Sequence, residues 1–230
     1  GPQRGGRLRM ALSGASRQDT WSVGDGLFML VARQGLIFAT LTEVAADGTL
    51  RPELTTGWTS SADGRVWSFE LRNDVLFHDG SPMTPQDVVA TLDKTLGADV
   101  VSEGADRIQI ALIDPDHSLP LRLSEPQHIV RPAHAPTDGI GTGLYRVRSF
   151  DAGQRLLAER VSAHYKDGTA GWFEEVELTS IPAEGVRAQA LAEFMVDAVD
   201  GKGLRALSDL ADIALQPDRR HPVQAISSEV

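Results

Sequence analysis

The chain has 230 residues, 41% of them apolar, which is enough to bury a substantial core in one domain or in one lobe with a sub-domain. Its formal net charge is −10 and its only basic run is the pair Arg219-Arg220, so we expect no nucleic-acid partner. Because the sequence contains no cysteine, disulfides, thiol catalysis and Cys-ligated metals are excluded. No apolar run approaches the length of a membrane span and no leader pattern opens the sequence. We therefore expect either a cytosolic protein or one whose signal peptide has been removed.

The first predicted elements are a strand and a helix. Polar and apolar residues alternate over residues 5–12, which indicates a strand with one buried face, and Ser13-Gly14 ends it. The apolar side chains of residues 27–31 are spaced for a helix that buries one face. The apolar pattern then continues to Asp47-Gly48, a dipeptide typical of a turn.

The next block carries the clearest local signals. A half-buried strand is predicted over residues 66–72, after the turn residues Asp63-Gly64. Residues 75–77 predict a short second strand. Residues 84–87 (Thr-Pro-Gln-Asp) place a cap, a proline at the first helical position and an acid at the third, which predicts a capping box that opens a helix.

The second half of the chain shows mainly strand patterns. Prolines punctuate residues 115–136 and indicate a loop-rich stretch, and residues 209–230 carry only a weak pattern. Further strands are predicted over residues 107–112, 145–150, 155–160 and 174–180, with an amphipathic helix over 186–195. Because strands and helices are intermixed, the predicted fold class is α/β, of the mixed α+β kind.

Four features bear on a catalytic or ligand-binding interpretation, and none of them favours it. His78-Asp79-Gly80 could be a base oriented by a carboxylate, but we favour a tight turn because no nucleophile lies nearby in the sequence. The glycines of residues 139–143 lack the following helix that a phosphate-binding loop needs. No histidine pair has helical spacing, and no serine has the setting of a nucleophile elbow. We therefore expect no metal site, no cofactor and no enzymatic activity.

A long segment resembles a known family of transport proteins. The matching residues are Asp47-Gly48, Pro52-Glu53-Leu54 with Trp58, Asp63-Gly64, Trp67-Ser68-Phe69-Glu70-Leu71-Arg72 and Val75-Leu76-Phe77-His78-Asp79-Gly80-Ser81-Pro82-Met83-Thr84-Pro85-Gln86-Asp87-Val88. In order and spacing they are similar to the signature region of the peptide/nickel solute-binding proteins (extracellular solute-binding protein family 5), which serve bacterial ABC importers.

Further matches follow in the order that the family shows. Gly141-Thr142-Gly143-Leu144-Tyr145 is similar to the family's GTGPY, with Leu144 where proline is usual. Residues 187–197 resemble its R-x-x-A-L…G-E-V-D helix and turn, except that Phe194 stands where glycine normally ends the helix. We expect altered turn geometry there, since phenylalanine disfavours the left-handed conformation that glycine supplies.

The resemblance implies a lobe of the periplasmic-binding-protein type II fold with a small α/β sub-domain. Residues 1–44 and 141–230 would form the core of the first lobe, and residues 45–140 an inserted sub-domain. Because family members are about twice this length, we expect the opposing ligand-binding lobe to be missing.

Four residues are candidates for ligand contact, again by resemblance. The loop after the first strand would contribute Trp21 and Asp25, the proline-flanked segment His128, and the strand after the glycine-rich loop Tyr145. The aromatic residues would pack on ligand, Asp25 would pair with an amine and His128 would donate to a carboxylate.

The resemblance also implies a function, namely capture of a small solute outside the cytoplasm and its delivery to the permease membrane subunits of an ABC importer. An oligopeptide is the expected ligand, with a nickel chelate, an opine or a sugar as alternatives. The expected location is the periplasm, after removal of a signal peptide. Because the second lobe is missing, a single-lobe interaction or regulatory module, or a fragment without independent ligand binding, stays open. Self-association through the face left by the missing lobe is a further expectation.

Overall fold

The computed structural model describes residues 4–200, so the weak pattern of residues 209–230 and the Arg219-Arg220 pair lie outside the described residues. The strands are β1 (Arg7–Leu12), β2 (Thr42–Val44), β3 (Leu50–Pro52), β4 (Thr55–Ser60), β5 (Val66–Leu71), β6 (Asp99–Ser102), β7 (Arg107–Ala111), β8 (Tyr145–Asp151), β9 (Arg155–Arg160), β10 (Glu175–Ser180) and β11 (Ala198–Val199). The α-helices are α1 (Leu27–Leu30), α2 (Pro85–Thr95), α3 (Leu119–Arg122) and α4 (Glu184–Ala192); the π-helix Val31–Ile37 continues α1, and Pro126–His128 is a 3-10 helix.

The chain divides into two compact units. One comprises the described residues up to Ile37 together with those from Gly143 onward, and the other is Phe38–Thr142. The sub-domain predicted from the sequence, residues 45–140, begins seven residues later and ends two residues earlier than this second unit. Residues 38–44 lie in the second unit because their backbone pairs there: the carbonyl of Leu41 accepts from the Glu53 amide at 3.0 Å. The assignment of the units as lobe core and inserted sub-domain stays a prediction.

The first unit is built on a five-stranded mixed sheet in the order β11-β1-β10-β9-β8. Strands β10 and β11 run parallel to β1, whereas β9 and β8 continue the sheet as antiparallel neighbours. Leu8, Met10 and Leu12 are fully buried, as the predicted alternation requires, but Ala11 on the opposite face is buried too, so β1 is covered on both faces at that end. The carboxyl ends of the three parallel strands meet at one edge of the sheet, the edge at which open α/β sheets usually bind ligands.

Helix α4 packs through Ala190 and Leu191 against Ala11 of β1. It ends two residues before Phe194, which adopts φ 58° and is exposed. The expectation of altered turn geometry is therefore wrong: Phe194 keeps the left-handed conformation that glycine normally supplies, which costs a non-glycine residue about 1–2 kcal/mol. Phenylalanine in place of the family's usual glycine therefore leaves this turn with a strained backbone and an exposed aromatic ring.

The second unit contains an antiparallel four-stranded sheet in the order β4-β5-β7-β6, and a two-stranded sheet of β2 and β3. Trp67, Phe69 and Leu71 of β5 are buried on one face, as their alternation predicted. Helix α2 begins with the predicted capping box, in which the Thr84 amide donates to the Asp87 carboxylate at 2.8 Å.

Residues 75–77 do not form the predicted strand. Only an isolated bridge between Leu76 and Pro82 is present: the Phe77 amide donates to the Ser81 carbonyl at 2.8 Å, the Met83 amide donates to the Val75 carbonyl at 2.9 Å, and the chain turns back between them. Val75 and Phe77 are buried while Leu76 is exposed. This alternation imitates a strand although the segment is too short for a ladder.

Candidate functional site

The loop between β1 and α1 (residues 13–26, the β1–α1 loop) is closed at its neck by two glycines. A Cβ on Gly26 would lie 1.9 Å from the carbonyl oxygen of Gly14, so only a residue without a side chain allows this approach. The Phe28 amide also donates to the Ser13 carbonyl at 3.2 Å. Because its ends are in contact, the segment has the form of an Ω-loop, a type of loop that frequently carries function.

Asp19 fills the interior of the β1–α1 loop. It is buried, and its carboxylate accepts a hydrogen bond from the Ser16 amide at 2.7 Å. Gly24 has φ +97°, and a Cβ there would lie 2.1 Å from Asp19 Oδ1. The loop is thus packed by its own side chain as well as closed at its neck.

Arg33, on the π-helix, holds the far half of the same loop. Its guanidinium donates to the carbonyl oxygens of Thr20 at 2.5 Å, Trp21 at 3.1 Å and Val23 at 2.6 Å, and also to that of Gly24. Four hydrogen bonds from one half-buried side chain thus fix the backbone between Thr20 and Gly24. π-Helices are rare and frequently occur at functional sites.

The structure places both predicted residues of this loop within the first unit. The ring of Trp21 lies 4.9 Å from that of Phe150 on β8. Asp25 is exposed to solvent. Burial lowers the pKa of Arg33, and the charges of Asp19 and Asp25 partly offset that effect. The arrangement presents a carboxylate and an aromatic ring from one fixed loop.

A buried polar cluster ties the carboxyl ends of the parallel strands together. The Asp200 carboxylate accepts from the Ser13 amide at 2.9 Å and from its hydroxyl at 2.8 Å. Arg187 Nε lies 3.4 Å from Asp200 Oδ1, and the same guanidinium donates to the carbonyls of Ile181 and Pro182 at 2.8 Å. The beginning of the β1–α1 loop is therefore anchored to β10, α4 and β11.

Tyr145 lies in the core of the first unit. It is 2% exposed, and its hydroxyl donates to the carbonyl of Phe173 at 2.8 Å. Burial raises the pKa of its phenol. Its predicted contact with ligand stays a prediction that this buried position does not support.

His128 lies in the core of the second unit. It is 3% exposed, and a hydrogen bond of 2.9 Å joins its Nδ1 to Oγ1 of Thr95 at the end of α2. Burial lowers the pKa of the imidazole, which favours its neutral form. Its predicted role toward a ligand carboxylate likewise stays a prediction.

The two glycine-containing motifs, residues 78–80 and 139–143, form a tight turn and a close approach of two backbone segments. At residues 78–80 the chain turns, with Gly80 at φ +88° and the Asp79 carboxylate accepting from Ser81. His134 Nε2 lies 2.7 Å from Asp79 Oδ2, and Asp79 has a pKa lowered to about 2, chiefly by Ser81 and then by His134. A Cβ on Gly143 would lie 2.2 Å from the carbonyl oxygen of Leu36.

Neither a metal centre nor a membrane span is found in the part of the chain that the structure describes. No group of three or more His, Asp or Glu residues among residues 4–200 is placed to hold a metal ion. No helix within the same range is long and apolar enough to cross a membrane.

The family relationship rests on the match of the sequence to known proteins. Residues 49–218 match the model of bacterial extracellular solute-binding proteins, family 5 Middle. The chain belongs to this family. The nickel-binding periplasmic protein of Escherichia coli (strain K12) is 25% identical over 209 residues, which cover 80% of this chain and 40% of that protein. The HTH-type transcriptional regulator SgrR of the same organism is 34% identical over 158 residues, 57% of this chain and 28% of that protein.

Solved structures confirm the predicted fold of this family 5 chain. AgaA from A. tumefaciens R10, in complex with agropinic acid, has a TM-score of 0.77 at 23% identity, covering 92% of this chain and 46% of its own. DppA from Helicobacter pylori, in complex with the peptide STSA, has a TM-score of 0.75 at 19% identity, covering 88% and 48%. The chain thus has the mixed sheet-and-helix fold of the periplasmic-binding-protein type II lobe, and it spans less than half the length of these proteins.

Arg33 and Asp19, which hold the β1–α1 loop, were not predicted from the sequence. One signal was available, since Arg33 is the only charged residue between Asp25 and Glu43. A single charge in an apolar helical stretch needs a polar partner if it is buried. The identity of that partner, a row of backbone carbonyls, leaves no trace in the sequence.

Proposed function

We propose that the chain acts in the substrate-binding component of an ABC importer, capturing a peptide-like solute in the periplasm for delivery to the permease. The match to family 5 over residues 49–218 carries this proposal. Relatives that bear on the ligand are the nickel-binding periplasmic protein and the oligopeptide-binding protein OppA, and the related structures hold an opine and a peptide. Non-enzymatic capture is the activity of such binding proteins.

The β1–α1 loop is the part of the first unit best suited to contact such a ligand. It lies next to the carboxyl ends of the parallel strands, and Asp25 offers an exposed carboxylate to an ammonium group. Trp21 offers a ring already packed on Phe150. Tyr145 and His128 act in this proposal by holding their own units together, because both side chains are buried and hydrogen-bonded.

The first experiment is a thermal-shift screen of the 230-residue chain against alanine peptides of two to five residues and nickel(II)–L-histidine, with calorimetry on each hit. A ligand at a hundred times its dissociation constant stabilises the folded state by about 2.7 kcal/mol, which raises the melting temperature visibly. Absence of any saturable shift from folded protein contradicts the proposal.

Asp25→Asn provides the matched test of the site. Loss of a charge-assisted hydrogen bond weakens binding of an amine-bearing ligand by about ten-fold or more. Asp74→Asn, at an exposed aspartate of the second unit, is the control and leaves affinity unchanged. Equal affinities for the two variants would remove Asp25 from the site.

A regulatory or interaction module is the second candidate, and the 34% identity to the regulator SgrR favours it. An importer component restores peptide uptake in a bacterial strain that keeps the permease but lacks its own binding protein. A regulatory module binds ligand or a partner protein, its own copy included, without restoring uptake. The uptake assay therefore separates the two functions.

A further inference from the structure

We propose that Arg33 is a positioning residue, an internal cation whose hydrogen bonds pre-form the β1–α1 loop so that Trp21 and Asp25 are held in a binding-ready geometry. The inference rests on the proposed function in one respect, that this loop contacts ligand. The clamp itself is independent of any ligand, because it consists of hydrogen bonds from Arg33 to the backbone of the loop.

The β1–α1 loop is held at two places, its neck and its far half. Its neck is held by the contact of Gly14 with Gly26 and by the Phe28–Ser13 hydrogen bond. The far half, residues 20–25, contains one short turn, in which the Thr20 amide donates to the Val23 carbonyl at 3.0 Å and the Val23 amide donates to the Thr20 hydroxyl at 2.9 Å. Fixing this turn on the rest of the unit needs further contacts. Backbone ordering costs about 1–2 kcal/mol per residue, so an Ω-loop needs internal contacts to keep one conformation.

Arg33 supplies those contacts from outside the loop. Its guanidinium reaches four carbonyls within five consecutive residues, Thr20 to Gly24. These carbonyls all point to one cation, as the backbone of a loop does round a bound metal ion. The planar fork of arginine, with five donors, fits this task, whereas a lysine ammonium has three donors at one point.

The clamp leaves one charged group of the far half available. Four of the loop's carbonyls are occupied by Arg33, and the Asp19 carboxylate is occupied by the Ser16 amide. Asp25, the next residue after the clamped segment, is exposed and lies close enough to Arg33 for their charges to interact. The far half thus presents the Asp25 carboxylate together with two apolar groups, the exposed Val23 and the partly buried Trp21 ring, which suits a ligand with a cationic group beside an apolar one.

The test compares Arg33→Met and Arg33→Lys with the parent 230-residue chain, and uses Arg148→Met as the matched surface control. Arg148 lies in the same unit, but it is exposed and its side chain pairs with Glu175 at 3.1 Å. Circular dichroism and the melting transition establish that each variant is folded. Amide hydrogen exchange then reads residues 19–26 against the strands β9 and β10.

The amide exchange rate of residues 19–26 is expected to rise at least ten-fold in Arg33→Met and by less in Arg33→Lys. In Arg148→Met it is expected to stay at the parental value. Exchange in β9 and β10 stays at the parental rate in each variant, which separates a local effect from a loss of fold. Parental protection of residues 19–26 in folded Arg33→Met overturns the clamp.

Affinity for tri-L-alanine and for nickel(II)–L-histidine supplies the second readout. Because a loosened loop must be ordered on binding, Arg33→Met is expected to weaken the bound probe by roughly ten-fold. A loop that loosens without any change in affinity overturns the positioning role. If the parent chain binds neither probe, the proposed function fails while the exchange data still decide whether Arg33 forms the clamp.

Discussion

Two loops of the first unit are folded round an arginine, and the two arginines are bound differently. Arg160, at the end of β9, has a side chain that is 1% exposed, and it donates to the carbonyls of Gly171 and Val161 at 2.9 and 3.0 Å. It also donates to the Asp167 carboxylate at 2.5 Å. Arg33 is half-buried and donates only to carbonyls among the residues that the structure describes.

The difference separates a loop closed for stability from a loop that retains an exposed charge. Asp167 forms an ion pair with Arg160, so the two charges of that loop neutralise each other. Arg33 has no hydrogen-bonded carboxylate among residues 4–200, and the nearby Asp25 faces solvent. An arginine thus fills the interior of one loop, whereas in the other an arginine orders a backbone segment that is followed by an exposed carboxylate.

The largest expected effect is on the Arg160 loop. Arg160→Met keeps an apolar stem of similar length but leaves buried carbonyls without a donor, so the free energy of unfolding should fall by about 2–4 kcal/mol. Urea denaturation measures it. Arg146→Met, at an exposed arginine paired with Glu159 at 2.8 Å, is the control and should lose less than about 1 kcal/mol. Equal losses would end the distinction between a buried and a surface arginine.

A second expected effect breaks the neck of the β1–α1 loop without touching either arginine. Gly26→Ala places a Cβ 1.9 Å from a backbone oxygen, which cannot swing aside, so we expect a loss of about 1–3 kcal/mol in unfolding free energy. Gly185→Ala, on α4, has open space and should be neutral or stabilising by up to about 1 kcal/mol. Chemical denaturation of both variants checks the difference; parental stability of Gly26→Ala would show that the neck is not tight.

The smallest expected effect is a difference between the loops in acid. Burial raises the pKa of Asp167, but hydrogen bonds from Arg160 and the His164 amide outweigh this, and the net pKa is lowered. A lowered folded-state pKa means that the stabilisation is complete above the unfolded value of about 3.9 and is lost as the pH falls through the folded value.

NMR follows this acid transition at single amides. The His164 amide, which donates to Asp167 at 3.1 Å, should shift with a midpoint below the ordinary aspartate value. The Val23 amide donates to the Thr20 hydroxyl, which does not titrate in this range, and should keep its hydrogen bond. A Val23 shift with the same midpoint and size would show that both loops open together in acid.

Local sequence signals succeeded where the partner of a residue lies a few positions away. The capping box of α2 needs only Thr84 and Asp87, and the buried face of β5 needs only its alternation, so both were predicted. The prediction failed at residues 75–77, where two buried side chains flank an exposed one without any strand ladder. Periodicity reports burial, and a short turn also buries alternate residues.

The candidate site was predicted only in part, because its residues act through partners far apart in the chain. Trp21 and Asp25 were named from the sequence, and they lie on one loop. The sequence does not reveal that Ser13 meets Asp200, 187 positions away. Nor does it reveal that Tyr145 and His128 are buried, since aromatic and imidazole side chains occur both in cores and at surfaces.

By itself, the sequence determined the family, the mixed fold class and most of the elements, because these depend on the spacing and type of neighbouring residues. Only the tertiary structure decided where charges lie relative to backbone. Arg33 is one charge in an apolar stretch until the Thr20–Gly24 segment folds over it, and its four acceptors are main-chain carbonyls that every residue carries. A hydrogen bond to a backbone group has no side-chain signature, so its partner is fixed by the path of the chain.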